Sequence, residues 1–143
     1  MKSDILEVIK LDFSDSHKIP FLGSHINAGF PSPASDYIDD VLDLNELLIS
    51  HPTATYFVRV SGDSMINAGI FDKDILIVDR SITSYKNKII IAILDGELTI
   101  KRLKIEQSSW YLEPANKKYP TIPIEKDSDF IVWGVVTNVI HKV

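Results

Sequence analysis

From residue 55 onward, the hydrophobic residues fall into short runs rich in β-branched and aromatic side chains, and turn-forming residues separate the runs. Runs of this length and composition are typical of β-strands. The predicted strands cover residues 55–60, 75–78, 89–94, 98–103, 110–112 and 130–140. Asp95-Gly96 lies between two of them and predicts a tight hairpin turn. This spacing predicts a mainly β fold, an antiparallel sandwich or partly open barrel.

One short helix is predicted ahead of these strands. Asp43 is a helix-capping residue with Glu46 three positions later, and leucines follow at helical spacing. Because Pro52 cannot continue a helix, we expect the helix to end at about Ser50.

Residues 1–28 show no sustained hydrophobic period and predict an extended N-terminal arm. Just beyond Gly29, Pro31 and Pro33 favour an extended backbone and predict a stiff connection to the rest of the chain. The expected organisation is therefore an arm of residues 1–28 and a β-rich domain of residues 29–143.

Composition narrows the range of functions. The chain has 143 residues, which suffices for one domain with an ordinary core. Its net charge of -5 argues against direct binding of duplex DNA, because such binding depends on Lys and Arg contacts to phosphate. The absence of cysteine excludes a thiolate nucleophile and a Cys-ligated metal site.

The sequence also bears on location. The amino terminus carries acidic residues where a secretory signal would have an unbroken apolar run, and the apolar stretches are too short for a membrane-spanning helix. We therefore expect a cytoplasmic protein with no membrane partner. No cofactor and no metal are predicted.

The first candidate for chemistry is Ser64, in the run Ser61-Gly62-Asp63-Ser64-Met65 directly after a predicted strand. A serine in a glycine-containing bend at a strand end can present its hydroxyl to a cleft, next to backbone N–H groups that would hold an oxyanion. Taken in isolation, however, this pentapeptide is more typical of an ordinary turn.

A nucleophilic serine needs a base, and none of the four histidines, His17, His25, His51 and His141, is favoured by its position. A lysine serves instead when burial holds its amine neutral. Lys101 meets this requirement best because it stands on an otherwise apolar strand. An exposed edge lysine that deters strand aggregation is the alternative, and the alternation of residues alone slightly favours that alternative.

The strongest functional signal is a series of six blocks in a fixed order along the chain. They are Ala28-Gly29-Phe30-Pro31-Ser32-Pro33-Ala34, Leu44-Asn45-Glu46-Leu47-Leu48 with His51-Pro52, Ala54-Thr55-Tyr56-Phe57-Val58, Ser61-Gly62-Asp63-Ser64-Met65, Leu76-Ile77-Val78-Asp79 and Gly96-Glu97-Leu98-Thr99-Ile100-Lys101. Together they closely resemble the UmuD family of SOS mutagenesis proteins, which is related to the self-cleaving domains of LexA and phage repressors. The resemblance runs from about residue 26 to residue 143.

This resemblance implies a LexA- and signal-peptidase-like β fold in which Ser64 is the nucleophile, Lys101 the general base and Ala28-Gly29 the scissile bond. It also implies a homodimer whose self-cleavage is stimulated by a RecA filament on single-stranded DNA. The shortened chain would then join a UmuC-type polymerase as the accessory subunit of an error-prone translesion DNA polymerase. Gly29 suits the scissile position because it lacks a β-carbon and lets the peptide bend near the nucleophile.

Three alternatives remain open. The chain is a non-catalytic polymerase-binding subunit if Ser64 and Lys101 are relics. The C-terminal domain of a LexA-type repressor is disfavoured, because residues 1–28 are too short for a winged helix-turn-helix. A signal-peptidase-like enzyme acting on other proteins would need access to a membrane.

Overall fold

The computed structural model describes residues 4–10, 18–22 and 38–143. These residues form two compact units. The larger contains residues 4–10 and 51–143, and the smaller contains residues 18–22 and 38–50.

Ten strands and one α-helix make up the regular structure of the described residues. In chain order they are β1 (Ile5–Lys10), β2 (Lys18–Leu22), β3 (Ile38–Asp43), α1 (Leu44–Leu48), β4 (Thr55–Val60), β5 (Ile75–Asp79), β6 (Ile89–Leu94), β7 (Glu97–Glu106), β8 (Ser109–Glu113), β9 (Ile122–Pro123) and β10 (Phe130–Ile140). Short 3₁₀ turns lie at Pro52–Ala54 and Ile66–Ala68. No helix in this part of the chain is long and apolar enough to cross a membrane.

The larger unit is built on one open sheet of eight strands in the order β1-β4-β5-β10-β6-β7-β8-β9. Every neighbouring pair in this sheet is antiparallel. The prediction of a mainly β fold with one short helix is therefore confirmed.

Two hydrophobic clusters stabilise this sheet. The first contains Val58, Val60, Met65, Ile70, Leu76, Val78, Ile91 and Ile100, and the second contains Ile90, Ala92, Leu94, Leu103, Leu112 and Val135. Ile90 and Ile91 are sequence neighbours in different clusters, because successive side chains of a strand point to opposite faces of the sheet. Met65 in the first cluster anchors the loop that carries Ser64.

The close contact of β10 with β5 depends on a glycine. A β-carbon at Gly134 would lie 2.5 Å from Cγ1 of Val78, which is closer than two carbon atoms can approach without displacement. Gly134 also stands at an irregularity in the pairing of β10 with β6. A glycine at this position therefore lets β10 pack tightly in the middle of the sheet.

The smaller unit contains the antiparallel pair β2 and β3, followed by α1. The Asp43 side chain accepts a hydrogen bond from the Asn45 N–H at 2.9 Å, which is the helix cap that the sequence predicts. The helix ends at Leu48 rather than near Ser50, because Ile49 has already turned to an extended backbone with φ -126° and ψ 106°.

The predicted strands after residue 55 are confirmed within a few residues, and the Asp95-Gly96 turn joins β6 to β7 with both residues at positive φ. Four strands were not predicted: β1, β2, β3 and β9. The expected boundary between arm and domain, at residues 28 and 29, lies outside the described residues.

Candidate active site

Ser64 lies in the loop that follows β4. Gly62 in this loop has a φ of +91°, a left-handed conformation that favours glycine, and its N–H donates to Oδ1 of Asp72 at 2.8 Å. Ser64 is buried, with 5% of its surface exposed. The bend predicted from the pentapeptide is thus present, and it turns the serine inward instead of leaving it on the surface.

Lys101 lies on β7, between β6 and β8, and is as buried as Ser64. Its Nζ is 3.3 Å from Oγ of Ser64. The fully buried Ile100 and Leu103 flank it and hold this part of β7 in the core. Lys101 is therefore an interior lysine beside the candidate nucleophile and not an exposed residue of an edge strand.

Three further oxygen atoms surround the Lys101 amine. Nζ lies 2.7 Å from Oδ2 of Asp4, 2.8 Å from Oγ1 of Thr99 and 3.0 Å from the carbonyl oxygen of Ile100. The Thr99 hydroxyl in turn donates to Oδ2 of Asp4 at 2.6 Å. The result is a closed polar network that joins Asp4, just before β1, to β7 and to the loop after β4.

A second segment, residues 115–119, fixes the loop from the other side. The Asn67 N–H donates to the Ala115 carbonyl at 2.8 Å, and the Asn116 side chain donates to the Asp63 carbonyl at 2.9 Å. The Tyr119 hydroxyl donates to the Asp63 carboxylate at 2.5 Å. This hydrogen bond and the negative charge of Asp63 raise the pKa of Tyr119 above its ordinary value.

A cleft of about 600 Å³, open to solvent, lies beside Ser64 and Lys101. Asp4, Ser64 and Lys101 line it, and Tyr119, Pro120 and Ile122 supply an apolar and aromatic part of its wall. A volume of about 600 Å³ lies within the range of ligand-binding clefts, and Ser64 forms part of the wall.

The two histidines that the structure describes, His51 and His141, do not line this cleft. His51 contacts Oδ2 of Asp79 at 2.6 Å, and Ser81 donates to the other oxygen, Oδ1, also at 2.6 Å. Serine and histidine thus bind separate oxygens of one carboxylate, which is not the order of a Ser-His-Asp triad. Burial raises the pKa of Asp79, but the hydrogen bonds from Ser81 and His51 outweigh it, and the net pKa is lowered.

His141 is paired with Asp74, with Nδ1 2.6 Å from Oδ1. His17 and His25 fall outside the described residues, as do both residues of the predicted scissile bond, Ala28 and Gly29. Of the predicted site residues, the structure therefore brings together Ser64 and Lys101.

Asp4, Asn116 and Tyr119 were missed by the sequence analysis. Each is an unremarkable polar residue of a turn or terminus, and no local pattern marks it. They join the site only through contacts with residues at least 50 positions away in sequence.

Comparison with known proteins shows the family to which the chain is similar. A sequence model of the Peptidase S24-like family matches residues 20–137. Protein MucA of Salmonella typhimurium is 45% identical over 139 residues, which cover 96% of this chain and 93% of MucA. Protein ImpA of Shigella flexneri is 43% identical over 128 residues, 90% of this chain and 87% of ImpA. A LexA repressor of Stenotrophomonas maltophilia is 36% identical over 124 residues, 87% of this chain but 58% of the repressor.

Proposed function

Since the chain belongs to the Peptidase S24-like family, a family of self-cleaving serine peptidases, we propose that it cuts its own Ala28-Gly29 bond with Ser64 and Lys101. The observation that carries this proposal is the 3.3 Å separation of Lys101 Nζ and Ser64 Oγ, both buried at the side of one cleft. Similarity to the UmuD-like proteins MucA and ImpA supports a role as an SOS mutagenesis protein.

The reaction is acyl transfer from Ala28 to Ser64 and then to water. Neutral Lys101 accepts the hydroxyl proton as Ser64 Oγ forms a bond to the Ala28 carbonyl carbon. The bond from that carbon to the Gly29 nitrogen breaks, and Lys101 returns the proton to the departing Gly29 amine. Water then attacks the carbonyl carbon of the Ser64 ester and gives a proton to Lys101. The bond from that carbon to Ser64 Oγ breaks, Oγ takes the proton from Lys101, and the arm leaves with a carboxylate at Ala28.

The surroundings of the two residues support these roles. The Ser64 N–H makes no hydrogen bond to any residue that the structure describes, so it is available to the oxyanion that forms on the Ala28 carbonyl. Thr99 and the Ile100 carbonyl orient the Lys101 amine from its own strand. Asn116 holds the peptide that precedes Ser64.

A tethered substrate explains why the cleft needs few specific contacts. The scissile bond is part of the same assembly as the nucleophile, so its effective concentration is high and the rate depends on how often it enters the cleft. A RecA filament on single-stranded DNA accelerates the reaction by favouring that docked state. The net charge of -5 agrees with such an indirect link to DNA.

The product is the domain of residues 29–143. We infer that this domain acts as a homodimer and binds a UmuC-type polymerase as the accessory subunit for error-prone translesion synthesis. Sequence similarity to MucA and ImpA over nearly their whole length supports this assignment.

Mass spectrometry of the purified full chain tests the proposal. The chain is incubated at neutral pH with and without RecA filaments on single-stranded DNA, and also at alkaline pH. We expect a fragment that begins at Gly29, and no such fragment from Ser64→Ala or Lys101→Ala. Ser109→Ala and Lys104→Ala are the matched controls, because both residues lie on strands of the same sheet but outside the cleft.

The outcome separates the two main alternatives. A fragment starting at Gly29 that requires both Ser64 and Lys101 establishes the peptidase. An intact chain under every condition would leave only the polymerase-binding role. A fragment from the Ser64→Ala chain would assign the cut to a contaminating protease.

A further inference from the structure

Asp4 makes the shortest contact of the Lys101 amine. Its Oδ2 is 2.7 Å from Nζ, although the two residues are 97 positions apart in sequence. The Asp4 side chain is 18% exposed and that of Lys101 is 7% exposed, so water screens this ion pair only partly. A carboxylate this close to the amine is a strong hydrogen-bond acceptor for its N–H groups.

The number of protons on the amine shows what this contact does to the proposed chemistry. An ammonium group has three N–H donors and no acceptor. The three shortest contacts of Nζ, to Asp4, Thr99 and the Ile100 carbonyl, use all three donors. The amine then has no lone pair with which to take the proton of Ser64, and the 3.3 Å contact with Oγ is unproductive.

A neutral amine has two N–H donors and one lone pair. If the lone pair faces Ser64, two donors remain for three acceptors, so one acceptor must be released. Thr99 and Ile100 belong to the same strand as Lys101 and move with it, whereas Asp4 directly precedes β1. Asp4 is therefore the contact that can be given up without moving the general base.

We infer that Asp4 is an inhibitory residue of the Ser64 and Lys101 site, which holds Lys101 protonated while β1 is paired with β4 and releases it when β1 detaches. The inference rests on the proposed self-cleavage and adds its control. It also assigns a role to the first residues of the arm, which lie far in sequence from the scissile bond.

Strand β1 is suited to this role because it is paired in the sheet and can detach from it without breaking the other strand pairs. It pairs with β4 in a ladder in which Val8 lies opposite Val58 and Lys10 opposite Tyr56. The Ser61 N–H also donates to the Asp4 carbonyl. Yet β1 is the outermost strand of the sheet as described, and the ladder that holds it there is the one with β4. Detachment therefore breaks one ladder and leaves the remaining seven strands paired.

Asp4 also lies in the cleft that the scissile peptide must enter. Its displacement consequently does two things at once, because it frees space beside Ser64 and removes the charge that holds the lysine protonated. A segment of arm that docks in place of Asp4 would couple substrate binding to activation of the base.

The other ionisable groups that line this cleft are engaged elsewhere. Asp63 accepts the hydroxyl of Tyr119, and Asp72 accepts the N–H of Gly62. Within the described ranges, Asp4 provides the one carboxylate that forms an ion pair with Lys101. Substitution of Asp4 therefore changes the charge next to the base more directly than substitution of either of the other acids.

The test is the rate of self-cleavage as a function of pH for the full chain and for Asp4→Asn, without RecA. The asparagine keeps the shape of the side chain and removes its charge. We expect cleavage at neutral pH to rise about tenfold, and the rise of rate with pH to begin at lower pH than in the parent. Asp4→Ala should behave in the same way.

Glu7→Gln is the matched control. Glu7 lies on β1, three positions after Asp4, and it pairs with Arg59 at 3.6 Å on the exposed side of the strand. This variant removes one negative charge from β1 without touching Lys101, so its rate and pH profile should remain those of the parent.

The results distinguish failure of this inference from failure of the peptidase assignment. If the parent cleaves at alkaline pH and Asp4→Asn has the same profile, Asp4 is not inhibitory although the peptidase stands. If Glu7→Gln is accelerated as much as Asp4→Asn, weakening of β1 and not the Asp4 carboxylate is responsible, and the inference is wrong. If no chain cleaves under any condition, both proposals fall.

Discussion

Asn116 donates its side-chain amide to the carbonyl oxygen of Asp63 at 2.9 Å, across 53 positions of sequence. The carbonyl belongs to the peptide that joins Asp63 to Ser64, so the contact fixes the plane from which the Ser64 side chain projects. Asn116 is buried, with 7% of its surface exposed. A buried amide that holds a backbone carbonyl in this way is a positioning element, because it touches the nucleophile only through the chain.

The first prediction concerns this contact. Asn116→Ala leaves the Asp63 carbonyl without its side-chain donor, so we expect the free energy of unfolding to fall by about 1–3 kcal/mol. The self-cleavage rate should fall more than the stability loss explains, because the orientation of Ser64 is no longer fixed. Urea unfolding and the cleavage assay measure the two effects on one preparation.

Lys117→Ala provides the control, since Lys117 is the exposed neighbour of Asn116. Its stability and cleavage rate should both match those of the parent. Cleavage at the parental rate by a folded Asn116→Ala chain would show that Asn116 has no positioning role.

The strands after residue 55 were predictable because each is a local pattern. The side chains of β6 are aliphatic throughout, and those of β4 and β10 are mostly β-branched or aromatic, with Arg59 in β4 and Gly134 and Asn138 in β10 as exceptions. Such runs form strands in most surroundings that bury them. Strand β1 is different. Its sequence mixes apolar and charged residues, and its conformation depends on the partner strand β4, which lies about fifty positions later.

The candidate site was predictable only in part, for a similar reason. Ser64 and Lys101 could be paired from the resemblance to a family, whereas spacing alone favoured an ordinary turn and an edge lysine. Asp4 approaches Lys101 only because β1 adds to the sheet beside β4 and brings residue 4 over β7. Such a contact has no local sequence signal, and only the tertiary structure reveals it.

The second prediction concerns Thr99, which accepts a hydrogen bond from Lys101 and donates one to Asp4. Thr99→Val keeps the size of the side chain but removes both hydrogen bonds. Lys101 then loses one of the contacts that orient it. The Asp4 carboxylate loses the Thr99 hydroxyl as a donor and keeps its contact with the Lys101 amine. We expect self-cleavage to slow about tenfold or more.

Thr99→Ser should restore most of the rate, because it returns the hydroxyl to the same position. Cleavage by Thr99→Val at the parental rate would mean that Lys101 is oriented by its other contacts alone. Circular dichroism of both variants verifies that any difference in rate does not come from unfolding.

The third prediction concerns Tyr119. The hydrogen bond to Asp63 favours the neutral phenol over the phenolate, and it raises the pKa of Tyr119 above that of an ordinary tyrosine. On alkaline titration followed by NMR of labelled tyrosine, the Tyr119 signal should titrate above the ordinary range. In Asp63→Asn it should move back toward that range, and a Tyr119 signal that titrates identically in both chains would contradict the assignment.

The last prediction concerns the dependence of stability on pH. Burial raises the pKa of Asp79, but the hydrogen bonds from Ser81 and His51 lower it by more, so the net pKa is lowered. The Asp79 carboxylate therefore takes up a proton less readily in the folded state than in the unfolded state. Asp79 therefore stabilises the fold at pH values above the ordinary Asp pKa of about 4. This contribution is lost as the pH falls through the lowered pKa of the folded state.

Asp79→Asn should reduce the free energy of unfolding at neutral pH by about 1–3 kcal/mol, because the Ser81 and His51 contacts lose their charged acceptor. The difference between parent and variant should shrink as urea unfolding is repeated at progressively lower pH below about 4. Asp127→Asn, at an exposed position, should remain close to the parent throughout. A difference between parent and Asp79→Asn that stays constant from neutral to strongly acidic pH would show that Asp79 acts through packing, since only an ionised carboxylate loses its advantage when it is protonated.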